Sequence, residues 1–294
     1  MLFQLFRENE DKPHQVLAMD QKSIESAPWV RDAPIKILIH GYTGHRDFSP
    51  NTEIRPAYMK CCDYNVISVD YNPIAREPCY IEAAQNTELV GMCTAQLIDQ
   101  LVQKYGFNLT QFHIIGFSLG GQTAGFIGDY VTCGKLNRIS GLDPALPLFV
   151  TTDTKKKLDK GDAKFVDVLH TNALEKGKLE ASGHIDFYAN GGITQPGCKA
   201  TKEQTKSGCN HARAPLYYAE SIITDVGFYG TKLFCKGSEL SSDWHLRNPT
   251  LFKVYQNQDH LLVKHMYIHT VQQTYRITHT YSTRTLDSPQ IFSL

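Results

Sequence analysis

Gly116-Phe117-Ser118-Leu119-Gly120 sets a serine between two glycines, directly after the apolar run Phe112, His113, Ile114, Ile115. Downstream, Thr123, Ala124, Phe126, Ile127 and Tyr130 recur at near-helical spacing. A serine at the apex of strand, turn and helix sits on a sharp bend that lifts its hydroxyl clear of the sheet, and flanking glycines let a strand and a helix come close. The five-residue pattern alone is weak; a strand before it and a helix after it give it weight. Such a hydroxyl is a poor nucleophile until a base takes its proton, and the base needs a carboxylate to fix its tautomer.

The acid is expected after a later strand and the base after the acid. Asp143 answers the first requirement, in Gly141-Leu142-Asp143-Pro144-Ala145, where Pro144 ends the strand and turns the carboxylate out at its C-terminal end. His170, His184 and His211 compete for the base. His170 ends an apolar strand and His184 opens another, whereas His211 stands in what reads as a loop, Gly208 to Arg213, just before a helix, and is the better mount. A developing oxyanion needs two backbone donors. One is the N–H of Leu119; the other is expected from the loop after an early strand, where His40-Gly41-Tyr42-Thr43-Gly44 nominates Tyr42.

These residues need a rigid frame. Short β-rich runs, Ile35 to Ile39, Asn65 to Asp70 and Phe165 to Leu169, alternate with amphipathic segments such as Ala83 to Tyr105, where Val90, Cys93, Leu97, Ile98, Leu101 and Val102 make one apolar face. The alternation predicts an α/β protein with a mostly parallel central sheet and helices on both faces. At 294 residues the chain is long enough for one large domain or one domain with an appendage. The reading is one domain over residues 1–240 and an extension over 241–294, polar and rich in Thr, His and Tyr, with only weak alternation from Thr270 to Thr283.

Thirty basic and thirty acidic side chains cancel, which leaves no field to hold nucleic acid. No stretch reaches the length of an apolar membrane span. Eight cysteines, with Cys61 and Cys62 adjacent and Cys198 and Cys209 bracketing a polar loop, suit an oxidising compartment. Spacing predicts the pairs Cys198–Cys209 and Cys79–Cys93 and leaves Cys61, Cys62, Cys133 and Cys235 open. Asn108-Leu109-Thr110 is a glycosylation sequon consistent with secretion. Met1 to Phe6 is too short to be a signal peptide, so a secreted chain is expected here in mature or trimmed form.

The motifs together resemble the animal pancreatic-type lipase family, and within it most the insect lipases and A1-type phospholipases. The resemblance rests on His40 to Gly44, Gly116 to Gly120, Gly141 to Ala145, Asp162 to Val168, Gly183 to Tyr188, Pro196-Gly197-Cys198 and Cys209-Asn210-His211, and covers about residues 1 to 230. It implies the α/β-hydrolase fold, Ser118, Asp143 and His211 as the triad, and Tyr42 and Leu119 as oxyanion donors. No cofactor is required for catalysis. The family's structural calcium would fall on Asp159 and Asp162, with the carbonyls of Thr154 and Lys157. Phe117 stands where pancreatic lipases usually carry His, and no helper-protein-binding C-terminal domain is recognised.

By the same resemblance the segment between Cys198 and Cys209 is the lid. It holds Lys199, Lys202, Glu203 and Lys206 and no large apolar side chain, and the second wall, Thr171 to Gly183, holds Glu175, Lys176, Lys178 and Glu180. A short polar lid suits a polar-headed ester at a membrane or micelle surface, with lysines to meet a phosphate. The expectation is therefore a secreted phospholipase A1-type enzyme. Triacylglycerol lipase is the alternative within the family, and a silent lipid-binding or yolk-type storage protein the alternative from another class.

Overall fold

The structure is a computed structural model and describes residues 1–7, 13–202, 204–224, 228–233, 251–257, 260–266 and 290–293. Cys235 and the segment Thr270 to Thr283 lie outside the described residues. Five neighbouring strands, β3 (Ile35–Ile39), β5 (Phe112–Phe117), β6 (Leu136–Leu142), β7 (Ala163–His170) and β8 (Ile185–Tyr188), pair in parallel, with β4 (Asn65–Asp70) parallel to β3 on its other side. This is the predicted α/β architecture.

The two faces of the sheet are separated by the alternation of its side chains. Ile35, Ile37, Ile39 and Ile114 point to a core closed by α3 (Tyr80–Gln103) and α4 (Leu119–Tyr130), through Leu97, Leu101, Ala124 and Ile127. Leu38, Ile115, Leu142 and Leu169 point to the other, closed by α2 (Asn51–Cys61) and α5 (Lys206–Ile223), through Ile54, Tyr58, Ala214 and Tyr218. With both faces covered, strands such as Ile35–Ile39 are buried at every position and read as unbroken apolar runs.

Two elements carry no clear mark in the sequence. Met1 to Phe6 contains β1 (Leu2–Phe6), antiparallel to β4 and to β2 (His14–Val16), which closes that edge of the sheet. Helix α2 contains Pro56, whose missing N–H and rigid ring ordinarily end a helix. At the opposite edge β12 (Gln290–Ser293) lies parallel to β8, followed outward by β9 (Phe228–Leu233), β10 (Leu251–Asn257) and β11 (His260–Met266). Among the described residues no helix is long and apolar enough to cross a membrane.

The cysteines divide as follows. Cys198 pairs with Cys209, as the spacing predicts, and Cys61 pairs with its neighbour Cys62. Cys79 and Cys93 are free, against expectation, and Cys133 is also free. Cys79 caps α3 and Cys93 lies about fourteen residues along the same helix, so their Cα atoms stand roughly 20 Å apart, far beyond the reach of a disulfide. The helix begins at Tyr80 rather than near Ala83, which puts the two thiols on one rigid rod.

Candidate active site

Parallel pairing puts the chemistry in one row. In register Phe117 faces Leu142 and Leu142 faces Leu169, so the next residues, Ser118, Asp143 and His170, leave three adjacent strands at one level of the C-terminal edge. The ladder runs one rung further, with Ser118 N–H donating to the Leu142 carbonyl at 3.0 Å and Asp143 N–H to that of Leu169 at 2.7 Å.

Ser118 has φ 58° and ψ −120°, a conformation that non-glycine residues seldom hold unless their surroundings force it. The forcing is visible at its neighbours. A Cβ on Gly116 would come 2.0 Å from the Gly120 carbonyl oxygen, and one on Gly120 would come 2.3 Å from that of Ile39. The glycines thus let the start of α4 lie directly on β3 and β5, and the turn that carries Ser118 follows.

Asp143 also has positive φ, 42°, and is fully buried. Its Oδ1 accepts from the N–H groups of Thr171 at 2.9 Å and Asn172 at 3.0 Å, and its Oδ2 lies 2.6 Å from His211 Nδ1. A carboxylate there is an acceptor, so His211 carries its proton on Nδ1 and keeps the Nε2 lone pair for a substrate-side proton. Gly177 completes the cradle, since a Cβ on it would sit 2.3 Å from Asp143 Oδ1. Thr171, Asn172 and Gly177 are not legible as site residues: two contribute backbone N–H groups and the third contributes space.

His211 lies on α5 rather than in a loop ahead of it. Thr205 caps that helix by accepting from Gly208 N–H at 2.9 Å, so the helix starts at Lys206, five residues before His211, and takes Gly208 into its first turn. Phe117 packs against the imidazole, ring centroids 4.5 Å apart. Ser118 and His211 open onto one cleft of about 740 Å³.

His170 and His184 are occupied elsewhere. Buried His170 bonds the Lys178 carbonyl and Asp186, each at 2.8 Å, and His184 Nδ1 accepts from Val166 N–H at 3.0 Å.

The loop before the cleft is fixed by His40. Its Nδ1 lies 2.8 Å from the Gly41 carbonyl, its Nε2 accepts from Tyr71 N–H at 3.2 Å, and its ring stacks on Tyr71 at 4.0 Å. Burial pushes this imidazole down to about 4, so it stays neutral in the tautomer that the two bonds require. Gly41 brings the loop against the nucleophile, where a Cβ would lie 2.8 Å from that of Ser118. Tyr42 follows at the cleft wall, and Leu119 opens α4, where a first-turn N–H has no intrahelical acceptor.

Of the segment between Cys198 and Cys209, Gln204 and Gly208 line the cleft, the latter from the first turn of α5. Its lysines do not line the cleft as expected: Lys199, Lys202 and Lys206 are exposed outside it, and the lining cation is Lys176. Lys178 is buried against Ser182 and Glu180 and is no wall residue.

The segment implied for calcium lies behind α4. Asp162 is buried, its Oδ2 accepts from Asp159 N–H at 2.8 Å, and Asp159 accepts from Gly161 N–H. Burial, with the charges of Asp159 and Asp129 beside it, pushes the Asp162 carboxyl up to about 8. Gly125 and Gly128 of α4 leave the room that Asp162 fills; Cβ atoms there would come 2.8 Å from its Oδ2 and 2.3 Å from its carbonyl. A buried carboxyl with two further carboxylates beside it offers the oxygen chemistry that suits a hard cation. Among the described residues no group of three or more His, Cys, Asp or Glu side chains could hold a metal, so carbonyls and water must complete any coordination.

The family described as Lipase matches residues 1–238. The chain belongs to that family. Pancreatic triacylglycerol lipase of Myocastor coypus is 34% identical over 78% of this chain and 54% of its own length. That of Sus scrofa is 35% identical over 78% and 54%. The human protein called inactive pancreatic lipase-related protein 1 is 34% identical over 75% and 51%. The chain thus spans about half the length of these family members. Among solved structures, the Pyrococcus furiosus esterase Pf2001 overlaps 60% of this chain and 74% of its own at 14% identity and a TM-score of 0.39.

Proposed function

We propose that the chain is a secreted serine hydrolase of lipid carboxyl esters. The buried Asp143–His211 pair at 2.6 Å, opening onto the cleft that holds Ser118, carries the reading. Likeness alone does not, since a relative named inactive matches about as well as those named lipases. Ser118 Oγ attacks the ester carbonyl, His211 Nε2 takes the proton and returns it to the leaving alcohol, and Asp143 holds the imidazole and balances its charge. The N–H groups of Leu119 and Tyr42 receive the oxyanion. Asp159 and Asp162, with the carbonyls of Thr154 and Lys157, would hold a calcium ion that neutralises charge behind α4 and takes no part in the reaction.

Within this class the preferred substrate is the sn-1 ester of a phospholipid. The polar lid, without a greasy face, and Lys176 in the cleft lining support that choice. The relatives' names favour the second reading, triacylglycerol. Ser118→Ala tests the chemistry: it should abolish labelling by an active-site phosphonate and hydrolysis of a short-chain ester, and retained hydrolysis removes Ser118 from the mechanism. Matched assays test the substrate, where long-chain triglyceride turnover above that of phosphatidylcholine rejects the phospholipid preference.

A further inference from the structure

The cleft over Ser118 is lined by the rings of Tyr42, Phe48 and Tyr80, the acids Glu53 and Glu77, and one basic residue, Lys176. Tyr42 and Tyr80 meet edge to face at 5.1 Å, and the Phe48 ring is half exposed. Glu53 lies in the first turn of α2, and its Oε2 is sealed from solvent with no donor. Among the described residues neither Glu53 nor Glu77 has a salt-bridge partner, and Lys176 Nζ has none. Negative charge is felt at Tyr42, whose phenol is pushed up by burial and then by Glu77, Cys79 and Glu82. The lining thus combines π faces and unpaired acids with a single cation.

We infer, resting on the ester-hydrolase reading above, that this cleft binds the zwitterionic headgroup of a choline phospholipid, with the quaternary ammonium against Tyr42, Phe48, Tyr80, Glu53 and Glu77 and the phosphate toward Lys176. A quaternary ammonium has no proton to donate, so it is held by ring faces and by unpaired negative charge rather than by hydrogen bonds. Glu77, exposed in the lining and without a salt-bridge partner among the described residues, offers such charge. An anionic headgroup of similar size meets two uncompensated carboxylates and is disfavoured. The preference is one of charge on the headgroup, separate from the choice between phospholipid and triglyceride.

The test uses monomeric dihexanoyl lipids below their micelle concentration, so that surface adsorption plays no part, and compares phosphatidylcholine with phosphatidylglycerol on the intact chain. The expected kcat/KM ratio is roughly tenfold in favour of choline, and Glu53→Gln with Glu77→Gln together should bring it within about twofold of parity. Equal turnover by the unaltered protein, or a ratio the double variant leaves unchanged, overturns the subsite while Ser118-dependent ester hydrolysis stands. Cleavage of a neutral ester with neither phospholipid cleaved overturns it as well. A non-hydrolysable choline ether lipid that inhibits neutral-ester turnover no better than its phosphoglycerol counterpart does so without any variant. Loss of the underlying reading is distinguished by ester hydrolysis that survives Ser118→Ala.

Discussion

Asp143→Asn should cost about 10⁴ in kcat, roughly 5.5 kcal/mol of transition-state stabilisation, because the protein fixes which way the new amide points. Both backbone donors, Thr171 and Asn172, meet one oxygen of Asp143, and His211 meets the other. Asparagine must keep its carbonyl oxygen toward the two N–H groups, since the reverse orientation sets an NH₂ against two donors. Its amide nitrogen then faces His211 Nδ1 and donates to it, which moves the imidazole proton to Nε2 and leaves no lone pair for Ser118. The volume is unchanged, so the fold should persist, and a thermal melt with near-UV circular dichroism checks this. The assay is hydrolysis of a short-chain p-nitrophenyl ester beside the rate of phosphonate labelling. A loss below about 30-fold in a folded variant would refute Asp143 as the group that sets the His211 tautomer.

Gly177→Ala puts a Cβ 2.3 Å from Asp143 Oδ1; it should lower kcat at least about tenfold with KM little changed and cost roughly 1–3 kcal/mol of stability, and a variant with unaltered kcat removes Gly177 from the acid's cradle. Asp162, pushed up to about 8, binds a proton in the folded chain from about pH 4 to pH 8 that the unfolded chain releases, so without calcium the melting temperature should fall as pH rises through that window. Calcium requires the ionised form and should raise the melting temperature more at pH 8.5 than at pH 5.5; the absence of a calcium effect at pH 8.5 rejects the site. Replacing Cys198 and Cys209 by Ser together removes a bridge across a sequence separation of 11, worth roughly 3 kcal/mol in the chain-entropy model, and should speed proteolysis between Lys199 and Lys206; unchanged melting and cleavage rates rule out that contribution.

Much of the frame can be read from the sequence because a parallel sheet covered on both faces writes itself as uninterrupted apolar runs. Ile35–Ile39 and Asn65–Asp70 have the bounds expected of them, and Gly141-Leu142-Asp143-Pro144 ends its strand at the acid. Errors arise where a local signal is overruled by neighbours. Gly208 reads as a loop residue, yet the Thr205 cap draws it into α5 and takes His211 onto the helix. Helix α2 goes unread, and buried Ile54, Ala57 and Tyr58 keep it on the sheet in spite of Pro56. Cys79 and Cys93 read as near neighbours only while the helix start is misplaced. The cradle of Asp143 is illegible for a different reason: backbone N–H groups and a missing Cβ have no letter of their own.

That hidden cradle is braced from the start of α5. Asn172, whose N–H holds Asp143, accepts at its side-chain oxygen from Ser207 Oγ at 2.8 Å, and Ser207 lies two residues from the bridged Cys209. Below it, Asn210 accepts from Gln195 N–H at 2.9 Å, and the Gln195 amide donates to the Thr171 carbonyl at 2.9 Å. Ser207 and Asn210 both lie in the first turns of α5, so the start of that helix braces the Asn172 side chain and the Thr171–Asn172 peptide beside the acid. A movement that unwound the first turn of α5 would break the Ser207–Asn172 contact and loosen Asp143, whereas one confined to the residues before Thr205 leaves it intact. Ser207→Ala should accordingly lower kcat on a soluble short-chain ester, where no interface exists to open anything, by roughly two- to tenfold, the worth of one partly buried hydrogen bond felt through Asn172. An unchanged kcat there would separate the start of α5 from the positioning of the acid.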